Sequence, residues 1–169
     1  MIASKPWDWK IGADPYWEEP SADVYPLLGR WHDKGFTKLL DLGCGIGRHT
    51  FLFAKNGFEV AAFDLSDEGI NKIKQTAAEE KLPITTEVGD MISLPYRDNS
   101  IECLIAYNVI YHTDEVGIKQ TISEIHRVLK NGGEALITFN SQNNSAFTDP
   151  QNKHVSEHVL FKTNKPREV

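Results

Sequence analysis

Glycines and carboxylates are concentrated in one short stretch, Asp41-Leu42-Gly43-Cys44-Gly45-Ile46-Gly47, and Asp64 follows 21 positions after Gly43. Glycines let a backbone turn sharply and lie close to a ligand. Where such a loop opens a helix, the free N–H groups add positive potential. Nucleotide-binding folds place a carboxylate for ribose hydroxyls about 20 positions further along. The spacing predicts a nucleotide-like ligand, and a tight turn without a ligand is the alternative.

The residues around this loop discriminate between ligands. In the dinucleotide fingerprint G-x-G-x-x-G the third glycine comes one residue later than Gly47, and Arg48 stands in its place here. Asp41 lies two residues before the first glycine, where a carboxylate suits an ammonium group and repels a pyrophosphate. This indicates S-adenosylmethionine, which has an amino-acid end and no phosphate, and it disfavours a dinucleotide oxidoreductase.

Strands and helices alternate along the chain. Short apolar runs predict strands at 38–42, 58–63, 84–88, 101–106 and 134–139. Helices are expected between them, from Arg48 to Lys55, after a Ser66 cap, and after a Thr113 or Asp114 cap. This order predicts a parallel sheet covered on both faces, with ligands beyond the carboxyl ends of its strands.

Two helices carry more specific predictions. Ser21 can cap a helix that runs towards Lys34, and Pro26 predicts that it kinks or starts late. The helix before the fifth strand is expected to end at Gly132. Its apolar face is predicted from helical spacing to be Ile118, Ile122, Ile125 and Leu129.

Composition limits the class of protein. The chain has 169 residues, 40% of them apolar, and a net charge of −6, which predicts one globular domain and disfavours nucleic acid or an anionic membrane as partner. No apolar run approaches the ~20 residues of a membrane span. Two cysteines, Cys44 and Cys103, make no disulfide framework, so a cytoplasmic location is expected.

Five stretches in order resemble the class I S-adenosylmethionine-dependent methyltransferases, most closely the ubiquinone/menaquinone-type group. They are the glycine loop 41–47, Phe63-Asp64-Leu65-Ser66, Gly89-Asp90-Met91, the Leu-Pro-Tyr run 94–102, and Glu124 to Gly133. Together they cover about residues 37–140. Glu102 and Asn131 depart from the residues usual in that family.

The resemblance implies an α/β fold with a Rossmann-like parallel sheet sandwiched by helices. It divides a single domain into an N-terminal lid and helix (1–35), a cofactor-binding core (36–140) and a short polar tail (141–169). Since only 30 residues follow Phe139, the family's C-terminal antiparallel hairpin is expected to be missing or incomplete. An uncovered fifth strand predicts a homodimer through strand pairing, or else a poorly ordered tail.

The resemblance also implies a role for each site residue. Gly43, Gly45 and Gly47 would line the methionine portion of the cofactor, with Cys44 as a small residue of that loop. Asp41 would act at the amino end and Asp64 at the ribose hydroxyls. The remaining cofactor contacts are Leu65 on the adenine, Asp90 at its amino group, Met91 against its ring, and Asn108 near the sulfonium.

Methyl transfer needs proximity and orientation, and needs a base only where the acceptor must lose a proton. His112 is the candidate base, and a histidine that only hydrogen-bonds is the alternative. Candidate lid and substrate residues are Tyr16, Trp17, His49 and Tyr111. No metal site is expected, because His154 and His158 lack a third ligand.

These features predict an S-adenosylmethionine-dependent methyltransferase with a small-molecule acceptor. The alternative is a noncatalytic module that binds the cofactor, or another protein, and lacks a complete substrate region.

Overall fold

The computed structural model describes residues 4, 6, 7, 9, 15–141, 143–154 and 160–161. Its helices are α1 Tyr25–Asp33, α2 Arg48–Lys55, α3 Asp67–Glu80, α4 Glu115–Val128 and α5 Ser145–Thr148. Its strands are β1 Lys38–Leu42, β2 Glu59–Asp64, β3 Ile84–Val88, β4 Ile101–Ala106, β5 Leu129–Ile137, β6 Lys153–His154 and β7 Leu160–Phe161. Two 3-10 turns, Pro15–Trp17 and Ala22–Val24, precede α1.

Five strands form one parallel sheet in the order β3-β2-β1-β4-β5. The chain runs outward from β1 to β3 and then crosses to β4 on the other side, so the strand order reverses between β1 and β4. Ligands of such sheets bind at this switch point, beyond the carboxyl ends of the strands. The predicted Rossmann-like parallel sheet is therefore confirmed.

No antiparallel strand joins this sheet in the described part of the chain, which agrees with the expected lack of a C-terminal hairpin. The antiparallel pair β6–β7 forms a separate sheet of two residues per strand. His158 and the other residues of 155–159 and 162–169 lie outside the described residues.

The core lies on both faces of the sheet because its strands are buried on both sides. Successive residues of β4 alternate between the two faces: Leu104 joins the cluster under α4, and Ile105 joins the cluster under α1 and α2. Trp31 of α1 and Phe53 of α2 are fully buried in the second cluster, with ring centroids 5.5 Å apart.

The helices differ from the sequence predictions in two places. The α4 face that packs on the sheet is Gly117, Thr121, Ile125 and Val128, whereas Ile122 is exposed, so the predicted face is rotated by about one residue. The helix ends at Val128 and not at Gly132, because Leu129 already pairs with Ile101. A bulge then separates that pairing from Cys103 opposite Glu134. By contrast, α1 begins only at Tyr25, which places Pro26 in its first turn, as a late start requires.

Candidate functional site

The glycine loop after β1 has the backbone that its composition predicts. Gly43, Gly45 and Gly47 have φ values of +71°, +57° and +96°, in the left-handed region that favours glycine. The Gly43 N–H donates to the Phe63 carbonyl at 2.7 Å, which fixes the loop against the end of β2. The loop leads directly into α2.

Asp64 organises this loop. Its Oδ2 accepts from the Gly45 N–H at 2.8 Å, and its Oδ1 accepts from the Ser66 N–H at 2.8 Å. Burial raises the pKa of Asp64, and the backbone N–H donors oppose that shift. A carboxylate has about four acceptor positions. Asp64 therefore retains capacity for two further donors, which is what a ribose diol presents.

Asp41 is buried beneath the same loop, at 2% exposure. Thr50 donates its hydroxyl to Asp41 Oδ2 at 2.6 Å. Burial raises the pKa of Asp41 to about 6, and the Thr50 hydrogen bond opposes the shift. Cys44 beside it is also buried, and burial together with the two aspartates raises the pKa of its thiol. A thiol held protonated is a poor nucleophile, so Cys44 acts as a small loop residue.

The end of β3 holds the third carboxylate. Asp90 Oδ1 accepts from the Ile92 N–H at 3.2 Å and from the Ser4 hydroxyl at 3.1 Å. Met91 is buried in the main core cluster, and Leu65, after β2, is half-buried. Asp41, Asp64 and Asp90 thus lie towards the carboxyl ends of three successive strands of the sheet.

The loop after β4 closes the other side. Asn108 adopts a φ of +58°, and its backbone N–H donates to Thr138 Oγ1 at 2.7 Å. Val109 lies so close to Gly43 that a Cβ there would be 2.3 Å from Val109 Cγ2. The first glycine is thus required by contact between the β1 and β4 loops.

Residues 15–24, which we call the anchored segment, are held next to the site by Arg48 and His49 of α2. The Arg48 guanidinium lies 5.2–5.4 Å from the rings of Tyr16, Trp17 and Tyr107. His49 Nε2 accepts from the Ser21 N–H at 3.2 Å, so its proton is on Nδ1. Burial, and secondarily Arg48, lowers the pKa of His49 to about 3. His49 is a neutral anchor for this segment.

Ser4, Pro6, Trp7 and Trp9 form what we call the N-terminal strap. Trp9 lies on the glycine loop: a Cβ on Gly45 would be 2.4 Å from Trp9 Cζ2. Trp7 packs between Trp9 and Trp17, with ring centroids 6.2 and 5.8 Å away. Its ring also meets the edge of His112 at 6.3 Å, and His112 stacks on Tyr111 at 4.7 Å.

The structure therefore brings the strap, more than the anchored segment, onto the glycine loop. Tyr16 is 56% exposed, and Trp17 reaches the loop only through the other tryptophans. The prominence of Trp7 and Trp9 was not apparent from the sequence. Their aromatic character was the one available signal, and it is shared by Tyr16 and Trp17.

The chain is similar in sequence to known proteins. A sequence profile described as a methyltransferase domain matches residues 39–133, more than half of the chain, so the protein belongs to this methyltransferase family. It is 36% identical over 92 residues to the uncharacterized protein YafE of Escherichia coli, which is 54% of this chain and 44% of that protein. The chain spans less than half of the length of the curated relatives that it matches.

Solved structures agree. A protein from Pyrococcus horikoshii superposes with a TM-score of 0.65 at 29% identity, over 75% of this chain and 63% of that one. A SAM-dependent methyltransferase from Methanosarcina mazei superposes with a TM-score of 0.63 at 25% identity, over 70% and 59% of the two chains. S-adenosylmethionine is the cofactor expected of this family.

The residues present fit this cofactor. Asp64 has acceptor positions for a ribose diol, and Gly45 has no side chain, so a ligand can lie on its backbone where Trp9 lies here; the Cβ side of Gly43 faces Val109. An ammonium group near Asp41 would lower its raised pKa, so the cation and the ionised carboxylate stabilise each other. Among the described residues no cluster suited to a metal ion occurs, and no described helix is long and apolar enough to cross a membrane.

Proposed function

We propose that the protein transfers the methyl group of S-adenosylmethionine to a small-molecule acceptor in the cytoplasm. The observation that carries this proposal is Asp64. It ends β2 at the carboxyl edge of the sheet, accepts from the N–H groups of Gly45 and Ser66, and has acceptor positions beyond these two. A pyrophosphate would meet the buried carboxylates of Asp41 and Asp64, whereas an amino-acid end and a ribose suit them.

The cofactor supplies an activated methyl group on a sulfonium, and the work of this chain is to bind and orient. Gly43, Gly45 and Gly47 would carry the methionine portion, with Asp41 at its amino end. The other proposed contacts are Asp64 at the ribose, Leu65, Asp90 and Met91 at the adenine, and Asn108 near the sulfonium.

An organic molecule of small size is the acceptor that the surroundings favour. The rings of Trp17, Trp7, His112 and Tyr111 contact one another in that order, and the last two belong to the loop that follows β4. Aromatic walls with few polar groups are typical of small-molecule sites. The net charge of −6 gives no support to a nucleic acid.

Calorimetry that compares the affinities for S-adenosylmethionine, S-adenosylhomocysteine and NAD tests the proposed cofactor directly. We expect both sulfur ligands to bind and NAD to bind far more weakly. Tighter binding of NAD would show a dinucleotide site instead. Release of S-adenosylhomocysteine over a panel of phenols, amines and carboxylic acids then tests catalysis.

His112 is the proposed base for acceptors that must lose a proton. We expect His112→Gln to slow S-adenosylhomocysteine release with phenols and to leave the Kd for S-adenosylhomocysteine unchanged. A matched loss of affinity would mean that the ring only supports Trp7, with which it packs. His126, exposed on α4, provides the control as His126→Gln.

A noncatalytic cofactor-binding module is the second candidate. It is supported by the sheet, which has no antiparallel strand in its described part to extend an acceptor site. This candidate predicts normal binding of S-adenosylhomocysteine with no turnover on any acceptor of the panel.

A homodimer through the edge of β5 is proposed as well. β5 is the last strand of the sheet, and Phe139 just beyond it is 58% exposed. We expect light scattering to show twice the chain mass, and Phe139→Asp to shift the protein towards the monomer. Val116→Asp on α4 is the control, since Val116 is 57% exposed. A wild-type monomer at all concentrations would contradict the dimer.

A further inference from the structure

The N-terminal strap touches two of the positions proposed for the cofactor. Ser4 donates its hydroxyl to Asp90 Oδ1 at 3.1 Å, at the end of β3. Trp9 lies against Gly45, in the loop after β1. Ser4 thus lies at the proposed adenine position and Trp9 at the proposed methionine position.

Trp9 fills the space that the glycine leaves open. Cζ2 and Cη2 of its ring are 2.4 and 2.8 Å from where a Cβ of Gly45 would be. Its Nε1 is 3.2 Å from the corresponding position on Gly69, at the start of α3. The Trp9 ring therefore excludes any ligand that would lie on the bare backbone of Gly45.

The strap is held there by an incomplete set of interactions. The indole N–H groups of Trp7 and Trp9 are buried and have no hydrogen-bond partner among the described residues. Unpaired buried donors are unfavourable, so the docked strap is less stable than its apolar contacts suggest. It is therefore suited to leave.

The anchored segment does not need to move with the strap. Trp17 packs on Trp7 and Trp9, but the hydrogen bonds of the segment are separate from the strap: Arg48 donates to the carbonyls of Tyr16 and Glu19, and Tyr107 donates its hydroxyl to Asp23. Departure of Ser4 and Trp9 breaks none of these bonds.

We infer that the N-terminal strap is an intramolecular competitor of the cofactor. Ser4 takes one acceptor position on Asp90 Oδ1, Trp9 takes the face of Gly45, and cofactor binding displaces both. This inference rests on the proposed function. It makes apparent affinity depend on the fraction of molecules whose strap has already left.

Calorimetric titration of the full chain with S-adenosylhomocysteine tests the inference. We expect Trp9→Ala to lower the Kd about threefold to tenfold, because the fraction able to bind rises. Ser4→Ala should lower it about twofold or more, since it removes one hydrogen bond of the strap. Tyr25→Ala and Ser123→Ala, which alter an exposed ring and an exposed hydroxyl elsewhere, should leave the Kd unchanged.

Acrylamide quenching gives a second readout. The difference between wild type and Trp9→Ala isolates the fluorescence of Trp9, and we expect it to become more accessible when S-adenosylhomocysteine binds. Weaker or unchanged binding by both variants, or a Trp9 that becomes less accessible, would overturn the competitor and indicate a clamp. No binding by wild type would remove the proposed function and the inference with it, a result distinct from equal binding by all chains.

Discussion

Carboxylates occur at both ends of the sheet, and the two ends treat them differently. At the amino end, Glu134 accepts from Arg30 and Lys34, each at 2.6 Å, and from Trp31 Nε1 at 2.9 Å. These donors, Arg30 first, lower the pKa of Glu134. At the carboxyl end, Asp41 and Asp64 form no ion pair among the residues that the structure describes, and burial raises their pKa values.

Glu102, at the start of β4, repeats the first pattern. Burial alone would raise its pKa, but Lys130 Nζ and the N–H groups of Thr37 and Lys38 lower it to about 2. The chain therefore supplies cations to Glu134 and Glu102 and, among the described residues, pairs none with Asp41 or Asp64, the carboxylates proposed to hold the cofactor. Raised pKa values in a cleft are typical of functional sites.

Removal of Asp64 should produce the largest effect of the variants proposed here, a loss of cofactor affinity. A small effect would contradict the contrast drawn between the carboxylates at the two ends of the sheet. We expect Asp64→Ala to weaken binding of S-adenosylhomocysteine about 100-fold or more, because two hydrogen bonds to a charged group are lost at about 1.5–3 kcal/mol each. Calorimetry measures the change, and thermal unfolding checks that the variant folds.

Asp67→Ala is the matched control for that experiment. Asp67 lies in the first turn of α3 and is exposed, so only its favourable interaction with the helix dipole, about 0.3–1 kcal/mol, is lost. Equal losses of affinity in the two variants would remove the ribose assignment of Asp64.

Neutralising Asp41 should act on stability. A buried acid with a raised pKa destabilises the fold once it is ionised, so Asp41→Asn should raise the free energy of unfolding by about 1–3 kcal/mol at pH 8. The gain should shrink as the pH falls from about 6 to about 4, where the folded wild type takes up its proton first. Urea unfolding over that range measures it, and a gain independent of pH would show a packing effect instead.

Neutralising Glu102 should change the free energy of unfolding in the opposite direction to Asp41→Asn, and by a smaller amount. Its folded pKa is lowered, so its stabilisation is present above about pH 4 and is lost as the pH falls towards 2. We expect Glu102→Gln to lower the free energy of unfolding by about 1 kcal/mol at pH 7. Urea unfolding at pH 7 and pH 3 tests this, and a larger loss at pH 3 would contradict the assignment.

Local chemistry accounts for the parts of the fold that the sequence predicts well. Ser66 caps α3 by accepting from the Gly69 N–H, and Asp114 caps α4 by accepting from Gly117. The glycine loop follows β1 and opens α2, and Asp64 lies at the end of β2, as predicted, because these elements follow one another within residues 38–64. Helix caps and glycine loops depend only on residues that are close in sequence, so they can be predicted without the fold.

The face of α4 was predicted only in part: Ile125 is buried as predicted, but the buried residues Gly117 and Thr121 are not large and apolar. Gly117 packs so closely that a Cβ there would be 2.2 Å from Thr113 Oγ1, and Thr121 bonds back to the Gly117 carbonyl. Hydrophobic spacing detects isoleucines and overlooks small buried residues such as Gly117. Ile122 consequently faces solvent.

The strap and the anchor depend on contacts between residues distant in sequence. Trp9 meets Gly45 and His49 meets Ser21 across at least 28 positions. No local pattern separates Trp9 from Trp17, or a histidine that anchors a backbone N–H from one on the surface. Only the folded chain distinguishes them.

The strand order also bears on how such a chain can be recombined. Residues 38–90 lie on one side of the seam between β1 and β4, and β4 and β5 lie on the other. The linker from Leu94 to Asp98 belongs to the second half, because Arg127 and Glu124 of α4 bind it. A crossover after Asp90 would therefore exchange the second half as a unit, together with the proposed cofactor contacts Met91 and Asn108. The foreign unit would have to reproduce three pairings with residues 39–41 and a small branched side chain at Val109.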